Sequence, residues 1–322
     1  MTRSKTYFDW WAAWVLLTCA PMGLSAGTFS LTNGQLTLEV LGDTIGDSGA
    51  IYEATLGTVG YYRHSGLVAD WGVQYGTNIG TFNLNTTSNT SNIVVGVTNP
   101  PGKIVVAGTL SMLGFPPITL ERVYELVSGV NVVRIQTTIT NIGNDPANVV
   151  YFDTYDPDQG VPLSLTFTTV NDVFSVATAS GTALAGRASA PGTPAYTVIM
   201  GGLDSGMRVG FGGGSSPFDL GINDGMELNT FMATPYDPNG ATADIGIAVG
   251  VSLALPAGQS VTYTYYQAYG PTFDAALADF VTALGGPAGG GIIPEPTTLA
   301  LASVGLVLLS LPCYRSTRKL CR

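Results

Sequence analysis

Cysteine is nearly absent from this chain of 322 residues, and none lies in its long central part. The three cysteines are Cys19, Cys313 and Cys321. A central region without cysteine has no disulfide framework, no thiol nucleophile and no thiolate metal site. The single histidine, His64, cannot by itself supply a zinc centre, which needs three or four good ligands. Its setting predicts the end of a strand better than a catalytic base.

Basic residues are also scarce in the central region. Residues 27–291 contain six lysines and arginines against twenty aspartates and glutamates, and six minus twenty gives a net charge of −14. This charge argues against nucleic acid as a partner, because nucleic-acid binding needs a basic face. It is compatible with the solubility of an exported protein and with binding of divalent cations.

The first 26 residues predict a signal peptide. Arg3 and Lys5 precede the mainly apolar run Trp10–Pro21, and small residues follow as far as Ala26. A basic start, a short apolar run and small residues at the cleavage site are typical of a secretory signal. We place the cleavage after Ala26.

The last 29 residues, 294–322, combine three features. The tripeptide Pro294-Glu295-Pro296 comes first, and an uncharged, mainly apolar run follows from Thr297 to Tyr314. As a helix that run would be about 27 Å long, which is enough to cross a thin bilayer. A basic tail, which indicates a cytoplasmic end, then carries Arg315, Arg318, Lys319 and Arg322.

This arrangement resembles the PEP-CTERM sorting signal of Gram-negative bacteria, although Ser316 and Thr317 dilute the basic tail. The resemblance implies recognition by an exosortase, a membrane transpeptidase. It also implies export, transient anchoring in the inner membrane, and release to the cell surface or the exopolysaccharide matrix. An ordinary C-terminal membrane anchor is the alternative, since it too has a helix followed by a basic tail.

The central region predicts an all-β fold. Residues 27–284 form short alternating segments separated by turn residues, which is typical of an antiparallel β-sandwich, either one large sandwich or a double one. One helix is predicted over Phe273–Leu284, capped by Thr272 and ended by Gly285. Residues 285–293 are rich in glycine and predict a flexible linker to the sorting signal.

Several pairings follow from the pattern. Ile118–Leu126 and Asn131–Thr140 alternate strictly on either side of a turn at Gly129, and predict adjacent strands of a meander that continues into Ala147–Phe152. Ile245–Leu255 and Val261–Tyr269 predict a closing hairpin. Ser175–Pro194 is rich in alanine, serine and glycine, and predicts weakly ordered surface.

A second, shorter resemblance lies in the same region. The segments Glu121–Glu125, Val132–Asn141, Tyr155–Gly160 and Tyr236–Ile247 are similar to β-sandwich modules of large bacterial secreted proteins. Such modules often accompany calcium-binding repeats. The resemblance implies a fold and a compartment, but no activity.

Acidic turns suggest one metal site. Alternate aspartates beside a glycine can offer the hard oxygen ligands that calcium prefers, and Asp-Pro and Asn-Gly pairs are also ordinary turn formers. The candidate calcium ligands are Asp153, Asp156, Asp158, Asp237 and Asn239.

Three functions remain compatible with these features. The first, which we expect, is a structural protein of the cell surface or exopolysaccharide matrix, without catalysis. The second is a carbohydrate-binding module that uses an exposed aromatic row, Tyr263, Tyr265 and Tyr269. Aromatic residues at alternate positions of a strand also pack in a core, which we favour here, and burial of the row would argue against sugar binding. The third is a glycan-acting enzyme with two carboxylates across a cleft. The candidate carboxylates are Glu121, Glu125, Asp153, Asp156 and Asp237.

Overall fold

The computed structural model describes residues 27–42, 49–62, 69–75, 93–111, 113–155, 157–159, 161, 166, 168–211, 241–243, 246–286 and 292–293. Within these ranges the chain forms eighteen β-strands and one α-helix. The helix, α1, spans Phe273–Ala283. The strands are β1 (Thr28–Thr32), β2 (Leu36–Leu41), β3 (Ile51–Leu56), β4 (Val59–Gly60), β5 (Ala69–Tyr75), β6 (Ile93–Thr98), β7 (Lys103–Leu110), β8 (Ile118–Leu126), β9 (Val132–Asn141), β10 (Ala147–Tyr155), β11 (Thr169–Thr178), β12 (Gly181–Ser189), β13 (Thr197–Gly202), β14 (Met207–Phe211), β15 (Ala241–Ala243), β16 (Ile247–Leu255), β17 (Ser260–Gly270) and β18 (Ile292–Ile293).

The strands form three antiparallel sheets. Sheet A contains β1 to β4 in sequence order, and sheet B has the order β14-β16-β10-β5. Sheet C is the largest, with the order β15-β11-β12-β13-β17-β9-β8-β7-β6, and β18 pairs with β11 beside β15. The predicted all-β antiparallel fold with one short C-terminal helix is therefore confirmed.

The main hydrophobic core lies between sheet C and the other two sheets. It contains inward-facing residues of all three, such as Leu38 of sheet A, Val249 of sheet B and Ile135 of sheet C, which are fully buried. The alternation of apolar and polar residues along the strands produces this arrangement, because every second side chain of a strand points to the same face. In β9, Ile135, Thr137 and Ile139 are buried whereas the side chains between them are half-exposed.

Two predicted connections are wrong in the same way. β8 and β9 pair as expected around Gly129, but β10 does not continue their meander; it pairs with β5 and β16 in sheet B. Likewise β16 and β17 do not form a hairpin, since β17 pairs with β9 and β13 in sheet C. Both turns carry the chain from one layer of the sandwich to the other, which local alternation cannot distinguish from a hairpin.

The segment predicted to be weakly ordered surface is instead an ordered part of sheet C. It contributes the end of β11 and all of β12, and Val176, Ala183 and Ala185 are fully buried. Its small residues allow close packing rather than disorder. A side chain at Gly186 would approach Val209 Cγ1 to 2.8 Å, and sheet B could not then lie so near.

A pair of glycines tests this close packing. A Cβ at Gly201 would lie 2.1 Å from the backbone oxygen of Leu184, whereas a Cβ at Gly96 would meet nothing within 4 Å. We expect Gly201→Ala to lower the free energy of unfolding by about 1–3 kcal/mol, the usual cost of overpacking. Gly96→Ala should raise it by up to about 1 kcal/mol, since glycine is unfavourable inside a strand. Urea unfolding of both variants measures the difference, and equal effects would contradict the packing described.

Helix α1 agrees with its sequence signals. The Thr272 side chain accepts a hydrogen bond from the backbone N–H of Ala275 at 3.2 Å. At the other end Gly285 has a φ of +72°, and its N–H donates to the oxygen of Thr282 at 3.0 Å. Glycine adopts this left-handed conformation without steric cost. The apolar face of α1 packs against sheet C in a second core that includes Leu277, Phe280 and Val281.

Both predicted targeting segments lie outside the described residues, as do the tripeptide Pro294-Glu295-Pro296 and the basic tail. Ile292 and Ile293, the last two residues of the predicted linker, pair with Val176 and Ser175 of β11. Among the helices of the described part of the chain, none is long and apolar enough to cross a membrane.

Candidate functional site

The outer face of sheet C is covered by α1 over only part of its width. The helix packs on residues of β11, β12, β13 and β17, such as Val176, Ala185 and Ile199. The helix also covers Val132 at the start of β9. The outer face of β6 to β8, the rest of β9 and the beginning of β17 lie beyond the helix, and outward side chains there are exposed or half-exposed, as Glu121 and Thr262 show.

A groove of about 590 Å³ lies on this open face; we call it the face groove. Gly96 and Ala107 form part of its lining and keep it free of large side chains. Gly108 and Leu120 also line it. The polar groups of the lining are the carboxylate of Glu121 and the hydroxyls of Thr109, Thr119, Thr138 and Thr140.

Strand register explains why these groups meet. Glu121 of β8 lies opposite Ala107 of β7 on one side and Thr138 of β9 on the other. Thr119, two residues earlier on the same face, lies opposite Thr109 and Thr140. Directly opposite side chains in antiparallel strands are close neighbours, so the carboxylate has hydroxyls beside it and a shallow depression on its other side.

The hydroxyls continue onto β17. Thr138 and Thr262 share a hydrogen bond of 3.0 Å between their Oγ1 atoms, and Thr140 and Ser260 share one of 2.7 Å. Each hydroxyl can donate one hydrogen bond and accept two. The row therefore keeps further capacity for a bound molecule beyond the bonds within it.

Glu121 differs from the other carboxylate on this face. Glu125 forms an ion pair with Arg134, and both side chains are partly exposed. Among the residues that the structure describes, Glu121 forms no ion pair and no side-chain hydrogen bond with the protein. Its charge is available at the groove.

Among the residues that the structure describes, the candidate carboxylates Glu121, Glu125 and Asp153 do not form a glycosidase pair. Glu121 and Glu125 stand four residues apart on one strand, about 13 Å at the usual rise of a strand, and glycosidases need roughly 5–9.5 Å. Asp153 is buried on the inner side of the sandwich, across sheet C from both. Asp156 and Asp237 lie outside the described residues.

Asp153 belongs to a buried polar network that joins the layers. Arg122 of sheet C forms an ion pair with Asp153 of sheet B, and both are at most 1% exposed. Tyr151 donates to Asp153 Oδ2 at 2.8 Å, and the Tyr155 and Tyr265 hydroxyls lie 2.6 Å apart. Burial raises the pKa of Asp153, and the charge of Arg122 opposes that rise. This aspartate has a structural role in the core.

The proposed calcium ligands are therefore not brought together by the described residues. Asp153 points into the core toward Arg122 rather than into the turn that follows β10, and Asp158 is also buried. Within the part of the chain that the structure describes, no group of three or more His, Cys, Asp or Glu residues could hold a metal ion. Asp156, Asp237 and Asn239 fall outside it, and a calcium site there stays a prediction without Asp153.

The aromatic row considered as a carbohydrate platform is buried, as the favoured core packing requires. Tyr263, Tyr265 and Tyr269 are at most 2% exposed and face the main core. The tilted rings of Tyr62 and Tyr155 pack near them, with centroids 5.5 Å apart. Carbohydrate binding by this row is therefore wrong, and the tyrosines act in packing and in the polar network.

Sequence reasoning missed the hydroxyls of the face groove. Thr138 and Thr140 are predicted to point outward, and they do, but an outward threonine alone indicates only a solvated face. The informative feature is that outward threonines lie beside outward small residues, Gly96 and Ala107, on neighbouring strands. Recognising it requires the order of the strands in the sheet, which the sequence does not give.

No protein-family model matches the chain, and no curated protein matches it. Solved structures do. A galactose mutarotase related enzyme from Lactobacillus acidophilus is 8% identical over 77% of this chain and 99% of its own, with a TM-score of 0.43. A galactose mutarotase-like protein from Lactobacillus casei is 8% identical over 76% and 100%, with a TM-score of 0.43. An aldose epimerase homologue from C. elegans is 10% identical over 77% and 100%, with a TM-score of 0.40.

These comparisons correct the expected function. The similar solved structures are named as relatives of galactose mutarotase and aldose epimerase, not as structural matrix proteins, and they contradict the expectation of a structural matrix protein. The likeness concerns the arrangement of strands at 8–10% identity. No substrate and no catalytic residue is transferred from it to this chain.

Proposed function

We propose that the protein binds carbohydrate through the face groove. The observation that carries the proposal is the Glu121 carboxylate, which stands in an open groove beside threonine hydroxyls and above small residues. A sugar presents several hydroxyls that both donate and accept hydrogen bonds, and threonine hydroxyls and a carboxylate match that pattern. Hydrogen bonds to a charged group contribute about 1.5–3 kcal/mol each.

The charge of the groove restricts the class of sugar. Glu121 is its charged residue, and the central region carries a net charge of −14, six basic minus twenty acidic residues. Like charges repel a negatively charged ligand and slow its approach. The ligand is therefore a neutral polysaccharide or one with amino groups, and not a polyuronate.

Removing the charge of Glu121 tests the proposal. We expect Glu121→Gln to weaken binding of a neutral glucan or of a deacetylated amino-sugar polymer by about tenfold, because a charge-assisted hydrogen bond becomes a neutral one. The matched control is Glu125→Gln, on the same face of the same strand but outside the groove lining. It should leave the affinity unchanged.

The measurement is affinity electrophoresis or calorimetric titration of the protein with glucan, chitosan and alginate. Alginate should not bind. The proposed role of the face groove would be contradicted if both glutamine variants weakened binding equally. It would also be contradicted if the wild type bound neither glucan nor chitosan.

The resemblance of the C-terminal segment to a PEP-CTERM sorting signal supports a location at the cell surface or in the exopolysaccharide matrix. The tripeptide Pro294-Glu295-Pro296, the apolar run and the basic tail favour export and processing by an exosortase at the inner membrane, with the cell surface or matrix as destination. Exopolysaccharide is then the carbohydrate that the protein would meet. Replacing the tripeptide by alanines should leave the protein in the membrane fraction, and unchanged release would refute the assignment.

A further inference from the structure

A second groove lies at one end of the sandwich; we call it the end groove. Its volume is about 730 Å³. It is bordered by the segment before β8, which contains Phe115, Pro116 and Pro117, and by the turn between β9 and β10.

The turn is rigid. Asn141 is fully buried, and its Nδ2 donates to the backbone oxygens of Asp145 at 2.8 Å and Leu255 at 2.9 Å. Its Oδ1 accepts from the N–H of Gly143 at 2.9 Å. A Cβ at Gly143 would lie 2.8 Å from Pro116 Cβ. The turn is thus fixed against the prolines before any ligand binds, and preorganised groups lose less entropy on binding.

The rigid turn presents uncommitted polar side chains. Asn144, Asp145 and Asn148 line the groove and are exposed. In the described part of the chain their side chains make no hydrogen bond or ion pair. Phe115 is half-buried on the main core and forms part of the same lining. Amide and carboxylate groups beside an aromatic side chain suit a ligand with both hydroxyls and an apolar face, which is the character of a pyranose ring.

The end groove adjoins the face groove. Pro117 and Ile142 directly continue the strands that carry Thr119 and Thr140, and the N–H of Ile142 donates to the oxygen of Pro117 at 3.0 Å. Glu121 and Pro117 are four residues apart, about 13 Å along an extended strand. A single sugar could not reach from one groove to the other, but a chain of sugars could.

We propose that the end groove is a second sugar subsite, and that the two grooves together bind an extended stretch of one polysaccharide chain. This inference rests on the proposed function. It adds that the ligand is recognised over several sugar units, with Glu121 contacting one end of the bound stretch and Asn144 and Asp145 the other. Two linked subsites bind more tightly than either alone when the chain spans both.

The test is calorimetric titration with glucose oligomers and deacetylated glucosamine oligomers of two and six units. We expect the hexamer to bind at least tenfold more tightly than the dimer. In the double variant Asn144→Ala/Asp145→Ala this advantage should disappear while affinity for the dimer is retained. In Glu121→Gln the affinity for both lengths should fall. Asn99→Ala, an exposed loop residue at the other end of β6 and β7, is the matched control and should change neither.

The outcomes separate the two proposals. A dimer that binds and a hexamer that binds no better would overturn the second subsite and leave the face groove intact. The second subsite would likewise be overturned if the double variant lowered the affinities for the dimer and the hexamer by the same factor. Absence of binding by every oligomer would overturn both. Thermal unfolding of each variant verifies the fold, which these exposed side chains should not affect.

Discussion

Replacing Asp153 by alanine is expected to lower the free energy of unfolding by about 3–5 kcal/mol, the cost of leaving one charge of a buried ion pair without its partner. Arg122 would remain in a site where it is 1% exposed. Its remaining hydrogen-bond partners are all tyrosine hydroxyls, which cannot neutralise a guanidinium: Tyr124 at 2.7 Å, Tyr155 at 3.2 Å, Tyr265 at 3.4 Å, and Tyr151. For a domain with a total stability of about 5–15 kcal/mol, this loss is large.

The chain contains its own control for this experiment. Glu125 and Arg134 also pair between β8 and β9, but their side chains are 31% and 41% exposed. Exposed ion pairs contribute about 0–1 kcal/mol. Glu125→Ala should therefore change the free energy of unfolding by less than about 1 kcal/mol. Urea unfolding of the two alanine variants compares the pairs directly.

Removing both buried charges completes the comparison. In Arg122→Met/Asp153→Leu, no uncompensated charge remains, and apolar side chains of similar size fill the space. The double variant should be more stable than Asp153→Ala, because an apolar replacement for a buried ion pair is often neutral or stabilising. Two results would contradict this account of the buried ion pair. One is a double variant with a lower free energy of unfolding than Asp153→Ala. The other is an Asp153→Ala variant that loses no more free energy of unfolding than Glu125→Ala.

The sequence predicts the local structure of this protein better than its connections. Strand alternation in β8 and β9, the turn at Gly129 and both ends of α1 follow from neighbouring residues, and all are found. The passage of β10 into sheet B does not, because a turn such as Asn141–Pro146 looks alike whether it joins strands of one sheet or of two. The buried Asn141 that fixes this turn is recognisable only from its contact with Leu255, over a hundred residues away.

The candidate site was predictable only in its parts. Glu121 appears among the candidate carboxylates because it lies on the outward face of β8. Whether that face is open depends on where α1 packs, and the helix covers only the other side of sheet C. The tyrosines of β17 show a second limit of local alternation. Tyr263, Tyr265 and Tyr269 lie on one face of the strand, which fits a ligand platform and a packed core alike. They face the core, where the Tyr265 hydroxyl accepts a hydrogen bond from Arg122 at 3.4 Å and the Tyr269 hydroxyl donates one to Gln267.

Raising the pH above about 10 is expected to unfold the protein within about one pH unit. Burial raises the pKa of eight tyrosines above the ordinary value of 10.0. Below pH 10 these phenols are protonated in both the folded and the unfolded chain, and they do not affect stability. Above it the unfolded chain releases protons that the folded chain retains, so stability falls as pH rises.

The size of the effect comes from the number of buried phenols. Each contributes about 1.4 kcal/mol per pH unit once the unfolded phenol is ionised, and eight contribute about 11 kcal/mol. This equals the whole stability of a typical domain. Absorbance of the phenolate and far-UV circular dichroism should therefore change together in one steep transition. Gradual ionisation around pH 10 with an unchanged dichroism signal would mean that the tyrosines are accessible to solvent.

Tyr263 provides the matched variant. It is 2% exposed, and among the described residues its hydroxyl has no hydrogen-bond partner. In Tyr263→Phe the ring that contacts Tyr151, with centroids 5.9 Å apart, is kept. Stability at neutral pH should stay the same or rise, since an unsatisfied buried hydroxyl is removed. The alkaline transition should become less steep by about one eighth, because one of the eight buried phenols no longer ionises on unfolding.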